Sequence, residues 1–510
     1  MFNAHLVPYV DRLSHGFWRN PEADLSRSVP QFRTAIRTEG SESSVRLHFV
    51  HSLSSRANSA PLLMIPPFPF TNLSLTHLTD HFTNPGDGER DDIAFHLVIP
   101  SLPGLGFSDA INSSKHMIPL VAEMFDKLMK RLGYDHYLVT TAAPSPNAFT
   151  DIDSRLIKYI AVSFPDSCLG AHMISPPFSQ PKLRFAPLAW LKWKMASTLQ
   201  RPCLGYSQHD IAIIRRHKAR RRLQHKQIPL LPGINTVGDK AFEPNTLSYA
   251  LCDSPVGLLL FFVMVLRLLE SKHEFSNQEM IHMTELTWLP GPEGTIRMWA
   301  NCSSMTEQVP KPSHKPRIGV TTFAKAAAQE DQDRSQGISP TASSDAHTCL
   351  AWGYVSYDVL SSQVVPGPPG LLAWERPGVI AAGVRKLAKA VISIDGRLQK
   401  EEETGTTLLE QVRVEGNRLA PAEVSGTTIQ GGVSPIPAPA DAPKSSQTTD
   451  VTESDASRQN RPSTPMPPKP SQVGESSQSA PLDDGSGDDG GQSSNQGSPS
   501  TIKPFKGSPP

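Results

Sequence analysis

The chain has 510 residues, 38% of them hydrophobic, enough to bury at least one large core and, on length alone, two or three domains. Lysine plus arginine and aspartate plus glutamate both number 49, so the molecule as a whole carries no electrostatic bias toward nucleic acid or acidic lipid. The five cysteines, Cys168, Cys203, Cys252, Cys302 and Cys349, are scattered and odd in number, without CxxC spacing; neither a disulfide framework nor a zinc site is expected.

Met1 to Val10 lacks a basic stretch followed by an apolar core, so no signal peptide is expected. Val45 to Val50 and Leu62 to Ile65 read as strands, and so does Phe95 to Ile99. The last of these empties into Pro100-Ser101-Leu102-Pro103-Gly104-Leu105-Gly106-Phe107, where two glycines permit turns that a Cβ resists. Ile118 to Leu132 has helical spacing through Val121, Phe125, Leu128 and Leu132, with Gly133 as its stop. Tyr137 to Thr141 follows as another strand. Alternating β and α units around a Gly-rich turn predict an α/β fold with a largely parallel sheet.

The character changes at about residue 176. Trp190, Trp193, the basic run Arg215 to Lys226 and two apolar helical patterns predict a helical insertion to about residue 300. Within it, Val256 to Leu266 is the most apolar run; it is too short to span a bilayer and reads as a buried helix. From 301 to 395 the α/β pattern returns, with Arg317 to Phe323 as a strand and Val379 to Ile392 as a closing helix. Gln329 to His347 is polar and Ser/Asp-rich, as expected of a disordered insertion. From 396 to 510 the chain is Ser, Pro, Gly, Thr and Asp, which cannot bury enough apolar area to offset ordering, and a disordered tail is expected.

Several of these stretches resemble the epoxide hydrolase branch of the α/β-hydrolase superfamily, from about residue 12 to 390. Phe17-Trp18-Arg19 with Pro30-Gln31-Phe32-Arg33-Thr34 is similar to the end of that branch's N-terminal arm. The Pro103-Gly104-Leu105-Gly106 loop resembles the one beside its active site. Glu243-Pro244-Asn245-Thr246-Leu247-Ser248-Tyr249-Ala250-Leu251, running into Asp253-Ser254-Pro255-Val256-Gly257-Leu258, resembles its cap-domain signature, and Leu371-Leu372-Ala373-Trp374-Glu375-Arg376-Pro377 the segment after its catalytic histidine. The resemblance implies an α/β-hydrolase domain, 1–175 and 301–395, with a helical cap over 176–300. It also implies two-step chemistry: an elbow aspartate opens an epoxide and becomes an ester, which a histidine-activated water then cleaves.

Carried over residue by residue, that machinery is depleted. The oxyanion loop reads Pro66-Pro67-Phe68-Pro69-Phe70; prolines supply no N–H, and Phe68 keeps an amide that is a candidate for substrate binding. The nucleophile position falls on Asp151 counting back from Phe164-Pro165-Asp166, or on Ala143 counting forward from Tyr137, with an insertion around Pro144 to Phe149 between them. Asp151 also suits a helix N-cap. A misjoined exon over Ala142 to Thr150 is a third reading of the mismatch. The histidine aligns with Gly370, its acid partner near Ala326, and the cap tyrosine with Trp299, whose indole has one N–H to offer a substrate and which also suits core packing. His347 is a substitute for the lost histidine or an exposed loop residue.

Arg215-Arg216-His217-Lys218-Ala219-Arg220-Arg221-Arg222 alternates with Ile211, Ile214 and Leu223, the pattern of an amphipathic helix with a solvated basic face rather than a nucleic-acid site. Two functions follow as expectations. One is a divergent epoxide hydrolase forming a diol through Asp151; the other is a catalytically inactive relative that binds a small apolar epoxide, a related ligand or a protein. No cofactor, metal or membrane span is expected, and a cytoplasmic location is.

Overall fold

A computed structural model of the chain describes residues 29–38, 44–85, 92–113, 115–144, 150–223, 244–269, 271–305, 307–324, 348–398 and 434–435, with side chains of 216–223 and 434–435 left out. The chain divides into two compact units, 1–441 and 442–510, and every described residue belongs to the first. The N-terminal motif at 17–19, the insertion at 329–347 with His347, Ala326, and nearly all of the tail lie outside the described residues. Gly396–Leu398, which composition assigns to the tail, is a short 3-10 turn whose Leu398 side chain is buried.

The strands are β1 (Gln31–Ile36), β2 (Val45–Ser52), β3 (Ser59–Ile65), β4 (Ala94–Pro100), β5 (Tyr137–Thr141), β6 (Cys168–Ile174), β7 (Arg317–Ala324) and β8 (Asp358–Pro366), with the two-residue β9 (Ser434–Pro435) beside β1. They form one sheet in the order β8-β7-β6-β5-β3-β4-β2-β1-β9. β2 runs antiparallel to β1 and β4, and β3 through β8 are parallel. This is an α/β-hydrolase fold. Every residue of β3, β5 and β6 is buried, as a strand covered on both faces requires.

The helices are α1 (Met117–Arg131), α2 (Ile152–Ser163), α3 (Pro187–Leu199), α4 (Gln208–Leu223), α5 (Pro244–Asp253), α6 (Pro255–Leu268), α7 (Asn277–Trp288), α8 (Glu293–Ser304), α9 (Leu350–Ser356) and α10 (Pro377–Ile394). α1 ends where Gly133 takes φ +85°, the left-handed stop that its sequence position implies. α6 is capped by the Ser254 side chain, and α7 by a capping box of Ser276 and Glu279. Alternate residues of the strands face two cores. Leu63, Ile65, Val139 and Ala171 join α1, α2 and the apolar faces of α6 and α8. Leu62, Met64, Leu138 and Leu169 join α10 and the short helical segment 72–83.

The described part of the run between β6 and β7 is largely helical, from α3 to α8. Leu258, Leu259, Phe261, Phe262, Val265 and Leu266 of α6 are buried, which agrees with the apolar reading of 256–266. No single described helix is long and apolar enough to cross a membrane; only α5 and α6 taken together, bent by 117°, reach that length and composition. Ile211 and Ile214 of α4 are buried against Ala196 and Trp352, as an amphipathic helix requires. The five cysteines are free thiols.

Candidate active site

The topology fixes where a site would lie. From β3 the chain crosses to β4 through the helical segment of the α10-side core, whereas β5 leads to β6 through α2 on the opposite side. The crevice opens at the carboxyl ends of β3 and β5, where Ile65 pairs with Thr141. Its walls are the loops 66–70 and 101–110 and the described residues 142–144 and 150–151.

Behind β3, the Phe70 amide closes a turn onto the Pro67 carbonyl at 2.9 Å, and Pro66, Pro67 and Pro69 have no amide hydrogen. The ring of Phe68 is fully buried, 6.5 Å from Trp299 of α8. From there an unbroken aromatic series crosses the molecule. Trp299 meets Phe261 at 6.5 Å, Phe261 meets Phe262 at 6.0 Å, Phe262 meets Phe70 at 6.2 Å, and Phe70 meets Trp374 at 5.1 Å. The two substrate-binding candidates, Phe68 and Trp299, are thus side by side, and the seam between sheet and helices is occupied by rings.

The glycine loop after β4 explains why Trp299 sits there. Gly104 has φ +83°, and a Cβ on it would stand 2.8 Å from the Gly294 carbonyl carbon. Backbone therefore packs on backbone at the start of α8, and the Thr295 hydroxyl donates to the Gly104 carbonyl at 2.9 Å. The loop itself is pinned to β2, since the Ser101 amide donates to the His48 carbonyl and the His48 amide to the Ser108 hydroxyl.

Beyond β5, Ala143 is buried, with its amide bonded to the Thr141 hydroxyl. Asp151 stands at the N-cap of α2, but its side chain makes no cap hydrogen bond; it is 53% exposed and pairs with Arg155 at 3.5 Å. It faces a cavity of 540 Å³ whose walls include Lys158, Met173, Phe178, Lys311, Trp352 and Tyr357. Phe68 and Trp299 do not line that cavity, so Asp151 opens onto a different space from theirs. Arg155 is itself bound to Glu307 and to the Cys302 and Met305 carbonyls, a tie between α2 and the chain after α8.

Two residues on, Asp153 is fully buried and accepts the Thr141 hydroxyl at 3.0 Å. Burial pushes its carboxyl up to about 7, against the Thr141 and first-turn amide hydrogen bonds that favour the charged form. The sequence reading gives Asp153 no role; the signal is its position two residues after Asp151, which turns it inward where Asp151 faces out.

At the histidine position, Gly370 takes φ +60°, and a Cβ there would lie 2.3 Å from Glu375 Oε2. The Glu375 carboxyl accepts hydrogen bonds from the Leu371 amide at 3.0 Å and the Lys272 amide at 2.8 Å. An acid side chain thus occupies the ground beside Gly370. The nearby His77 bonds the Ala373 carbonyl through Nε2 at 3.0 Å and lies 5.4 Å from Trp374. Burial lowers its pKa. His172 is sealed between the Thr140 and Thr321 hydroxyls at 3.0 and 2.8 Å, and burial lowers its pKa to about 3. Among the described residues no cluster of three His, Cys, Asp or Glu is arranged to hold a metal ion.

The sequence relatives carry one label. Residues 3–75 match the family model "Epoxide hydrolase N terminus". A protein of Stigmatella aurantiaca (strain DW4/3-1) named as an epoxide hydrolase is 34% identical over 246 residues, 47% of this chain and 45% of its own. Juvenile hormone epoxide hydrolase 1 of Ctenocephalides felis is 24% identical over 384 residues, 72% of this chain and 73% of its own. The chain spans about half the length, or less, of most other curated relatives it matches. The crystal structure of juvenile hormone epoxide hydrolase from the silkworm Bombyx mori superposes with a TM-score of 0.55 at 17% identity, covering 76% of this chain and 85% of that one, a likeness of fold. Its N-terminal match and its relatives together show a resemblance to the epoxide hydrolase branch of the α/β-hydrolase superfamily.

Proposed function

We propose that this epoxide hydrolase-like chain no longer carries out the two-step hydrolysis and serves as a binding module for a small apolar epoxide or related molecule. The observation that carries this reading is at Gly370. The position that aligns with the base has no side chain, and Glu375 fills the adjoining space through two backbone amides. An ester formed on an aspartate would then have no imidazole to activate water. The ring-filled seam at Phe68 and Trp299, and the outward setting of Asp151, support the same reading. The residual of about 10³ to 10⁴ over water that survives loss of a catalytic unit comes from an intact oxyanion hole and binding, and here Pro66, Pro67 and Pro69 leave that loop short of N–H donors.

In this reading residues 1–175 and 301–395 are the hydrolase core, 176–300 the cap, and 396–510 a tail with an unidentified partner. The protein acts in the cytoplasm without a cofactor and does not bind nucleic acid. The second reading is a divergent epoxide hydrolase that forms a diol through Asp151, and the relatives' shared label supports it.

Diol formation on a panel of aryl and alkyl epoxides, with Asp151→Asn as control, separates the two. No diol above the uncatalysed rate is expected. Turnover that Asp151→Asn abolishes would overturn the binding reading and make Asp151 the nucleophile; turnover that survives it would overturn that reading as well and put the nucleophile elsewhere. Gly370→His is expected to leave the rate unchanged and to lower stability, because its Cβ meets Glu375.

A further inference from the structure

α3 is apolar on two faces. Ala196 and Trp193 turn inward to Ile211 and Ile214 of α4. The opposite stripe, Leu188, Leu191, Met195 and Leu199, spans roughly 80° of the helix circumference at 3.6 residues per turn, and it is exposed. Leu188 and the preceding Phe185 are 76% and 77% exposed, and the other three between 43% and 56%. Leu183 and Leu204, at either end, are also exposed. Such a contiguous apolar stripe marks a surface that meets something other than water.

Its charge identifies the partner. Lys182, Arg184, Lys192, Lys194 and Arg201 flank the stripe, and no acidic residue occurs between Asp166 and Asp210. The molecule is neutral overall, so this concentration of positive charge is local. Leucines and a phenylalanine on one side, lysines and arginines at the flanks, and a helix about 20 Å long match the composition of a helix lying in a lipid headgroup layer. A self-complementary protein contact would place these like charges opposite one another.

We propose that α3 with Phe185 seats the protein on an anionic lipid surface, with the Leu188–Leu199 stripe in the acyl boundary and the five cations on the headgroups. The attachment is peripheral and reversible, and its strength depends on salt, because the headgroup contribution is screened over a Debye length.

The test is co-sedimentation of the full chain with phosphatidylserine-containing vesicles and with phosphatidylcholine vesicles, alongside size-exclusion chromatography. Binding to the phosphatidylserine vesicles, weak binding to the neutral ones and weakening by salt are expected. Lys192→Gln with Lys194→Gln is expected to lower the partition constant by about fivefold per charge at low salt. Leu188→Gln with Leu191→Gln is expected to abolish binding while thermal melting stays unchanged, since both side chains are already exposed. Equal sedimentation of this apolar variant and the native chain would overturn the proposal. So would a native chain that stays in the supernatant, and a dimer lost in the apolar variant without vesicle binding would make a second copy the occupant instead.

Discussion

A carboxyl with no solvent exposure, beside a single hydroxyl and the first turn of a helix, is costly to ionise, and Asp153 is in that position. Its folded pKa is raised to about 7, whereas an unfolded aspartate titrates near ~3.9. Between those values the folded chain holds a proton that the unfolded chain has lost, so this group makes stability fall as pH rises through the interval. Asp153→Asn removes the effect. The variant is expected to gain on the native protein by on the order of 3 kcal/mol between pH 4 and 7, read from urea melts. A difference that does not change with pH would show that Asp153 is ionised in the folded state. The buried histidines act in the opposite direction. His48 and His172 are lowered to about 4 and about 3 by burial, so their contribution is present above pH ~6.5 and is lost as pH falls toward those values. Comparing each aspartate variant with the native chain at the same pH cancels the histidine part.

At the scale of elements, the glycine loop after β4 does more than turn the chain. Because Gly104 and Gly294 approach backbone to backbone, a methyl on either forces α8 outward, and Trp299 moves with it. Gly294→Ala is expected to cost about 1–3 kcal/mol, and Gly104→Ala at least as much because φ +83° disfavours any Cβ. Both should red-shift the fluorescence that buried Trp299 contributes, and a stable variant with unaltered emission would disprove the packing. Much of this layer is legible from sequence. The strands read at 45–50, 62–65, 95–99, 137–141 and 317–323 all lie within observed strands, and the helices read at 118–132 and 379–392 match α1 and α10 to within a residue or two at each end. The reason is that β3 and β5 are buried on both faces and α1 on one, so period and composition are strict there. β8 escapes notice because only intermediate and exposed residues alternate along Asp358–Pro366, which leaves no apolar run to see. The partner of Gly104 also escapes, since Gly294 lies 190 positions away and a backbone contact leaves no mark in side-chain pattern.

Over the whole molecule, the question is whether sheet and helical insertion enclose a space or abolish it. Position by position, the residue pattern shows only that the family's polar groups are missing; it does not show what replaced them. The structure answers with the series Phe68, Trp299, Phe261, Phe262, Phe70 and Trp374, which joins the loop after β3 to α6, α8 and the segment after Gly370. Each ring in contact adds its buried area and an aromatic pair energy of about 0.5–1.5 kcal/mol, so closing the seam is favourable wherever no water or substrate has to be admitted. Trp299→Ala should therefore cost about 3–5 kcal/mol and leave a dry apolar void, as removal of a buried ring does when the surroundings relax only in part. Benzene is expected to raise the melting temperature of this variant more than that of the native chain, by the mass action of a ligand that binds only the folded form. If Trp299→Ala does not fold, Trp299→Leu leaves a smaller void with the same readout. Equal stabilisation of the native chain would mean that the seam between Phe68 and Trp299 already opens to apolar ligands.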